Sequence, residues 1–575
     1  MLWGSNTIKG LLLGMMACAA LAACTNDDIV ENNGEITEGK KMDAYIAFSI
    51  APSTNSARDA ESSGTTDVGV TGEANVNNVL VILTNADGSD GFTGTFNSSD
   101  FDTNYNLRVE NAIRVQKKEA YKVLAIVNPN AGIQTEISGK GHLAAYNAAL
   151  GYVYSGAVTG LTGDQYDNFM MANREEESVT PDATNNSPAT AAGVTIEVER
   201  VVSKITFRPN NSNIYPVEVK NVSYATITSK GFWTNESSNL VYSTFNSANN
   251  GAIMVKDGVP FVQEGTKTTY VDGELREAPY YVPETSGVTW VYDKGTATVL
   301  EPYTLYIKLE SYALVNLSKA VYGVRHIATT DWTVKPLGLL NPSYPYLSDP
   351  KSTAKNAWIS GSTADWFNNT LADIETSISA DRGALFNELP ATEAAGNQET
   401  IGNLLSYCFE NAVTKDRQLK GLVTGIVFRG QIYTDANATD AVTVLYKYDG
   451  NYYRSILSLH NELGENTPAK IAALSDKSSE TDIEDAGIEI YKDGKCYYYS
   501  AEIKHFDDGA DTTKGVMEYA IMRNNIYSLA ITGFTGIGDA NFNPDGGDDV
   551  VDTGVYITMR ASILPWIVRF NDIEF

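Results

Sequence analysis

The sequence predicts an all-β protein, mainly strands with a few short helices, in a sandwich or barrel architecture. Three observations predict it. Runs rich in Val, Ile, Tyr and Thr recur along the chain. Gly, Asn, Asp and Pro end most of them, as turn residues do. Helical periodicity is confined to brief stretches, and many short strands between turn signals make sandwiches or barrels.

Taken in order, the first element is not a strand. "MLWGSNTIKG" carries one Lys, and "LLLGMMACAALAA" follows as 13 apolar or small residues. That run is too short to span a bilayer and has the length of a signal-peptide core. It ends in Leu21, Ala22, Ala23 and Cys24, the pattern of a lipobox. Residues 1–23 are expected to be a signal peptide cleaved between Ala23 and Cys24, with the Cys24 thiol carrying lipid. Two or three acyl chains anchor a protein firmly to a membrane, so the chain is expected to be exported and membrane-tethered.

"TNDDIVENNGEITEGKK" then reads as a polar tether. In "MDAYIAFSIAP", Ile46, Phe48 and Ile50 alternate with Ala47 and Ser49, a half-buried strand over about 43–51. "STNSARDAESSGTTDVG" is a polar loop with one basic residue, Arg58, and loop tips are where proteases cut. Further strands are expected in "NNVLVILTNADGS", "YKVLAIVNPNAG", "VTIEVERVVSKITFRP", "NVSYATITSKGFW", "PYTLYIKLESYAL", "LVTGIVFRGQIY", "GKCYYYSAEIKHF", "RNNIYSLAITGF" and "VYITMRASI". Short helices are expected near "GHLAAYNAALGYV", "TADWFNNTLADIETSI" and "ETIGNLLSYCFENAV". The Asn- and Pro-rich "FRPNNSNIYP" suggests a boundary, giving an N-terminal domain over 59–207 and a larger C-terminal one over 208–552.

Residues 553–575 close the chain. Val555, Ile557, Met559, Ala561 and Ile563 alternate with Tyr556, Thr558, Arg560 and Ser562. The phase flips at Leu564-Pro565, and Trp566, Val568 and Phe570 then share one face. Proline has no N–H for a ladder and marks a break. The early and terminal strands are alike: each carries large apolar residues at i, i+2 and i+4, and each is tied to the body by a polar linker. If cutting after Arg58 released the first strand, the terminal strand of another copy could fill its place by β-strand addition. Such a contact is heterologous and propagates as a filament.

No enzyme is expected. The four histidines, His142, His326, His460 and His505, show no H-x-x-x-H spacing. Phosphate-loop, nucleophile-elbow and dinucleotide signatures are missing. Ser348 and Lys351 match a bare S-x-x-K spacing without its partner motifs. "DANFNPDGG" alternates oxygen ligands, but Pro544 stands where a calcium loop needs Gly and Val550 where it needs Glu. No cofactor and no metal are expected. The net charge of −29 argues against nucleic acid or an anionic surface as partner. With Cys18 leaving and Cys24 lipidated, Cys408 and Cys496 remain, too few for a disulfide framework.

Several stretches resemble one family. The lipobox leads to a first strand and then "NSARDA". "VLAIVNPNAG", "NFMMAN" and "VERVVSKITF" follow in the N-terminal part, and "YYVPETSG" and "MRNNIYSLAITGF" in the C-terminal part. "VYITMRASILPWIVRFNDIEF" closes the chain. These resemble the fimbrillins, the type V pilins of Gram-negative anaerobes of the Bacteroidales type, and are most similar to shaft subunits of the Mfa type (minor fimbrium). The resemblance implies two transthyretin-like β-sandwich domains and export as a palmitate-bearing lipoprotein to the outer surface. It implies a cut between Arg58 and Asp59 by an arginine-specific protease. It makes Ile46, Phe48 and Ile50 the leaving strand, and Trp566, Val568 and Phe570 the donor in donor-strand exchange. Implied partners are identical subunits, head to tail, and accessory anchor and tip pilins in an adhesive fimbrium. The alternatives are a monomeric surface lipoprotein binding glycans through its tyrosines, and a tip or anchor subunit of the same fimbria.

Overall fold

The computed structural model describes residues 43–52, 73, 75–117, 119–155, 169–219, 303–379, 385–392, 402–453, 456–463, 467–475, 478–501, 503–505, 513–550 and 557–565, and six strand segments between 226 and 296. Ala23, Cys24, Arg58, Asp59, Trp566, Val568 and Phe570 lie outside the described residues.

The chain is mainly β, as expected. The first sheet contains β1 (Asp43–Pro52), β2 (Asn78–Thr84), β3 (Gly91–Asn97), β4 (Ile113–Gln116) and β5 (Tyr121–Val127). Helices α1 (Ala131–Ile137) and α2 (His142–Leu150) follow, then β6 (Val153–Ser155), β7 (Met171–Asn173), β8 (Glu177–Val179) and β9 (Ala192–Arg200). The strand order is β3-β2-β5-β7-β9-β1-β4, with β8 beside β5. The β2 sequence NVLVILT is apolar on both faces because each face meets a core. Val79, Val81 and Leu83 share one core with Ile46, Phe48 and Ile50 of β1. Leu80 and Ile82 share another with Ile133, Ile137 and Tyr146 of α1 and α2. Strands β1 and β3 are not neighbours in the sheet, yet the Phe48 and Phe96 rings meet, so the sheet curls over its own core. Asn130 caps α1, its side-chain oxygen accepting from the Ile133 N–H at 2.9 Å.

The second assembly is a sandwich. One sheet has the order β13 (Asn403–Phe409), β10 (Val202–Arg208), β16 (Asn525–Phe534), β17 (Ile557–Pro565). The other has β11 (Ile214–Val219), β12 (Tyr303–Val315), β14 (Gly425–Tyr433) and β15 (Lys495–Ser500), with Asn387–Glu388 added beside β12. Phe207, Tyr527, Leu529, Ile557 and Met559 face Val217, Ile307, Phe428, Cys496 and Tyr498 in one core. Ahead of β12, Thr226–Trp233 pairs with Leu240–Ser243 and Trp290–Thr296, and Val259–Val271 pairs with Ile253–Lys256 and Glu274–Pro283. Among the described residues no helix is long and apolar enough to cross a membrane.

Two differences from the sequence reading have physical causes. "ETIGNLLSYCFENAV", expected as a helix, holds strand β13 instead. Its residues from Leu405 to Phe409 are all buried. Leu405 and Cys408 go to the sandwich core, and Tyr407 and Phe409 to the core beneath α1 and α2. A strand buried on both faces shows no alternation, and a short apolar run is then ambiguous. "VTIEVERVVSKITFRP", which reads as one run, is two strands meeting at Val201. β9 pairs in the first sheet and β10 in the second, so the pairing partners change at Val201, upstream of the compositional boundary.

Candidate functional site: the seat of the first strand

β1 lies inside its sheet, with partners on both sides. Along one side it runs parallel to β9, from Ile46 opposite Ala192 to Pro52 opposite Val198. Along the other it runs antiparallel to β4, from Asp43 opposite Gln116 to Ile46 opposite Ile113. β4 ends there, and a loop takes over. The Leu107 N–H donates to the Phe48 carbonyl at 2.9 Å, and the Ile50 N–H to the Tyr105 carbonyl at 3.1 Å. Asp102 shapes that loop: its carboxylate accepts from the Asn104 and Asn106 backbone N–H groups at 2.8 and 2.9 Å. Hydrogen bonds to the Asn106 side chain lead the forces that lower its pKa.

The side chains follow the alternation. Ala44, Ile46, Phe48 and Ile50 are buried, and the residues between them are half-buried. Phe48 packs edge-on against Phe96 and Phe101 at ring-centroid distances of 5.6 and 5.7 Å, a favoured aromatic geometry. On the outer face Ser49 donates to Thr195 at 3.1 Å, and Asp43 pairs with Arg114 at the surface. Ile46, Phe48 and Ile50 are therefore the inward anchors of a two-sided seat, as the alternation predicts.

β17 has a simpler setting. Among the described residues it is the edge strand of its sheet, and it pairs antiparallel with β16, from Asn525 opposite Pro565 to Phe534 opposite Ile557. Ile557 and Met559 are buried, the face the alternation assigned to them. Pro565 is the last residue of the strand, where a missing N–H costs least.

The residues weighed for chemistry have other roles. Lys351 is paired with Asp349 and lies 5.1 and 5.3 Å from the centroids of the Trp358 and Phe367 rings. Asp349 also accepts from the Ser352 hydroxyl and the Ala412 N–H, both at 2.9 Å. Asp545 accepts from the Gly547 N–H at 2.8 Å, a turn contact. Among the described residues no group of three or more His, Cys, Asp or Glu could hold a metal ion. Cys408 and Cys496 are free and buried, and burial pushes both thiols up to about 12.

Sequence reasoning missed a set of buried charges where β9 passes into β10. Glu199 pairs with Arg325 and lies 3.9 Å from Arg523. Arg523 in turn pairs with Glu410 at 2.6 Å. Burial opposes charge on both partners of that last pair. Mutual attraction outweighs it, holding Glu410 below and Arg523 above their ordinary values. Beside them Lys204 meets Glu73 at 2.8 Å, and the Tyr407 hydroxyl donates to the same carboxylate at 2.5 Å. Arg200 donates to the Glu73 carbonyl at 2.9 Å and to Asn524 at 3.3 Å. No local signal marks these contacts, since Glu199 and Arg325 are 126 positions apart.

Residues 489–572 match the model of one family, described as major fimbrial subunit protein type IV, fimbrillin, C-terminal. That stretch, which takes in β15, β16, β17 and Trp566, Val568 and Phe570, is similar to the C-terminal part of fimbrillins. Among solved structures, the chain is similar to a fimbrilin from Porphyromonas gingivalis, at 14% identity and a TM-score of 0.37, over 91% of this chain and 98% of that one. It is also similar to a candidate cell adhesion protein from Parabacteroides distasonis, at 12% identity and a TM-score of 0.38, over 91% and 99%. A third is the C-terminally truncated tip fimbrial protein Mfa3 of Porphyromonas gingivalis, at 11% identity and a TM-score of 0.19, over 46% and 81%. None of the curated proteins matches the chain.

Proposed function

We propose that the chain is a shaft subunit of an adhesive fimbrium. It is exported as a lipoprotein on Cys24, cut between Arg58 and Asp59, and polymerised by donor-strand exchange at the outer surface. In this reading 24–58 is the propeptide, 59–207 and 208–552 the two domains and 553–575 the donor segment. β1 leaves, and Trp566, Val568 and Phe570 of a second copy take the places of Ile46, Phe48 and Ile50. Anchor and tip pilins bound the polymer.

The observation that carries this reading is the position of β1. It has ladder partners on both sides and buries Ile46, Phe48 and Ile50 in the sheet's own core. A strand so placed cannot depart without a substitute. Three such side chains at about 1.5–3 kcal/mol each amount to roughly 5–9 kcal/mol of lost apolar burial, besides the ladder bonds left open. A strand of like pattern restores both. The fimbrillin match across β17 and the segment beyond it supports the same assignment.

The test is N-terminal sequencing and intact mass of protein sheared from cells, alongside a chain lacking residues 566–575. Expected are a start at Asp59 without lipid in high-molecular-weight material, and no polymer from the truncated chain. A monomer starting at lipidated Cys24, or filaments from the truncated chain, would overturn the reading.

A further inference from the structure

We propose a mechanical function for the segment that joins the two assemblies: β9, Val201 and β10 form the tension-bearing spine of the subunit, locked at their junction by buried ion pairs. The proposal rests on the donor-strand reading, in which a pull acts on the occupant of the β1 seat and on the strand leading into residues 566–575.

The route between those two points is short. The seat's occupant is held by β9 in a parallel ladder of seven residue pairs. β9 continues through the buried Val201 into β10 as one covalent chain. β10 pairs in parallel with β16, from Lys204 opposite Ile526 to Arg208 opposite Ala530. β16 pairs with β17, and residues 566–575 follow directly. Tension entering at the seat therefore reaches the root of residues 566–575 through one covalent stretch, β9 to β10, and the ladders at its two ends. A pull along a strand loads its ladder bonds together rather than one at a time.

The weak point of such a route is the junction, where a strand leaving one sheet for another could pivot. That is where the charges are buried. Glu199, just before Val201, is held by Arg325 and faces Arg523. Lys204, just after it, is held by Glu73. All five side chains are at most 2% exposed. Apolar packing of equal volume often stabilises a fold as well or better, so stability alone does not explain charges at this place. An ion pair differs from apolar contact in being directional. Glu199 and Lys204 fix the axial position of β9–β10 against two other segments, which apolar packing would let slide.

The experiment stretches the full chain between thiol handles placed at Gly193→Cys in β9 and Thr532→Cys in β16. Both positions are exposed, and a side chain at 193 meets nothing within 4 Å. Polymerisation is not required. Glu199→Gln is expected to raise the rupture rate at fixed force by about a hundredfold or more, the scale of breaking one partner of a buried pair. Lys447→Gln, at the surface pair with Glu489, should leave that rate unchanged. If Glu199→Gln does not fold, Glu199→Asp keeps the charge at a shorter reach and should still raise the rate above that of the unmodified chain. A folded Glu199 variant rupturing at the wild-type rate overturns the spine. So does an equal change from Lys447→Gln. Filaments without this force dependence overturn the spine alone, whereas force dependence in a chain that never polymerises overturns donor-strand exchange, and with it the tension-bearing role, while the junction's resistance to force remains.

Discussion

β1 and β17 are both apolar strands next to a polar linker, yet they are built into the molecule differently. β1 is flanked on both sides and packs into a core that its own sheet encloses. Among the described residues β17 is flanked on one side, and it covers the rim of a sandwich. The difference teaches which strand the fold depends on. An edge strand can extend past its sheet and leave the sheet intact. An interior strand can be exchanged only for another of the same pattern, because its absence opens two ladders and a core at once.

The largest expected effect tests that dependence. Phe48→Ala in the full chain should cost about 3–5 kcal/mol, the range for deleting a buried aromatic side chain, measured by denaturant unfolding. Met559→Ala in β17 should cost about 2–3 kcal/mol, at the low end for a buried methionine. A greater loss from Met559→Ala than from Phe48→Ala would break the comparison.

The next effect sharpens it by pH. The buried face of β1 is Ala44, Ile46, Phe48 and Ile50, with nothing to titrate. Elsewhere, in a small sheet where His326–Ala328 pairs with Val334–Pro336 and Tyr346–Leu347, His326 stacks on Tyr322 at 3.8 Å, and burial lowers its pKa from the ordinary 6.5 to about 4. The unfolded chain then takes up the proton first as the pH falls. Stability from the neutral ring is full above pH 6.5 and is lost toward pH 4. The loss should be on the order of 3 kcal/mol. His326→Gln should remove that part of the pH slope, and an unchanged slope would mean the ring is not held neutral.

The smallest effect is at the rim of the seat. The Asp43–Arg114 pair is well exposed, and surface pairs contribute about 0–1 kcal/mol. Arg114→Ala should leave the unfolding midpoint nearly unchanged at 0.15 M salt. A large shift would mean that charge, not the apolar face, seats β1.

Much of this was legible in the sequence. The alternation of Ile46, Phe48 and Ile50, and of Ile557 and Met559, gave the inward faces correctly, because one-sided burial writes a period of two into a strand. Turn residues bounded β2, β5, β12, β14 and β16 for the same kind of local reason. The legibility failed where burial was two-sided or contacts were distant. β13 lost its period because Tyr407 and Cys408 are both inside. The run through Val201 gave no hint that its halves pair in different sheets. Glu199, Arg325, Glu410 and Arg523 look like ordinary surface charges until the fold brings them together.

The parallel ladder between β1 and β9 has one more consequence, and it concerns time. Ser49 and Thr195, which touch across it, are 146 positions apart. Closing so long a loop costs entropy that nearby pairings do not, and contacts of high sequence separation form slowly. The hairpin of β2 and β3 needs only a short turn, whereas β1 has to wait until β9 has been made and folded. β1 should therefore dock last, so that each new chain passes through a stage in which its seat is built but still empty. Pulsed hydrogen exchange during refolding would show it: protection at Leu107 and Ile50 should appear after protection along β2 and β5.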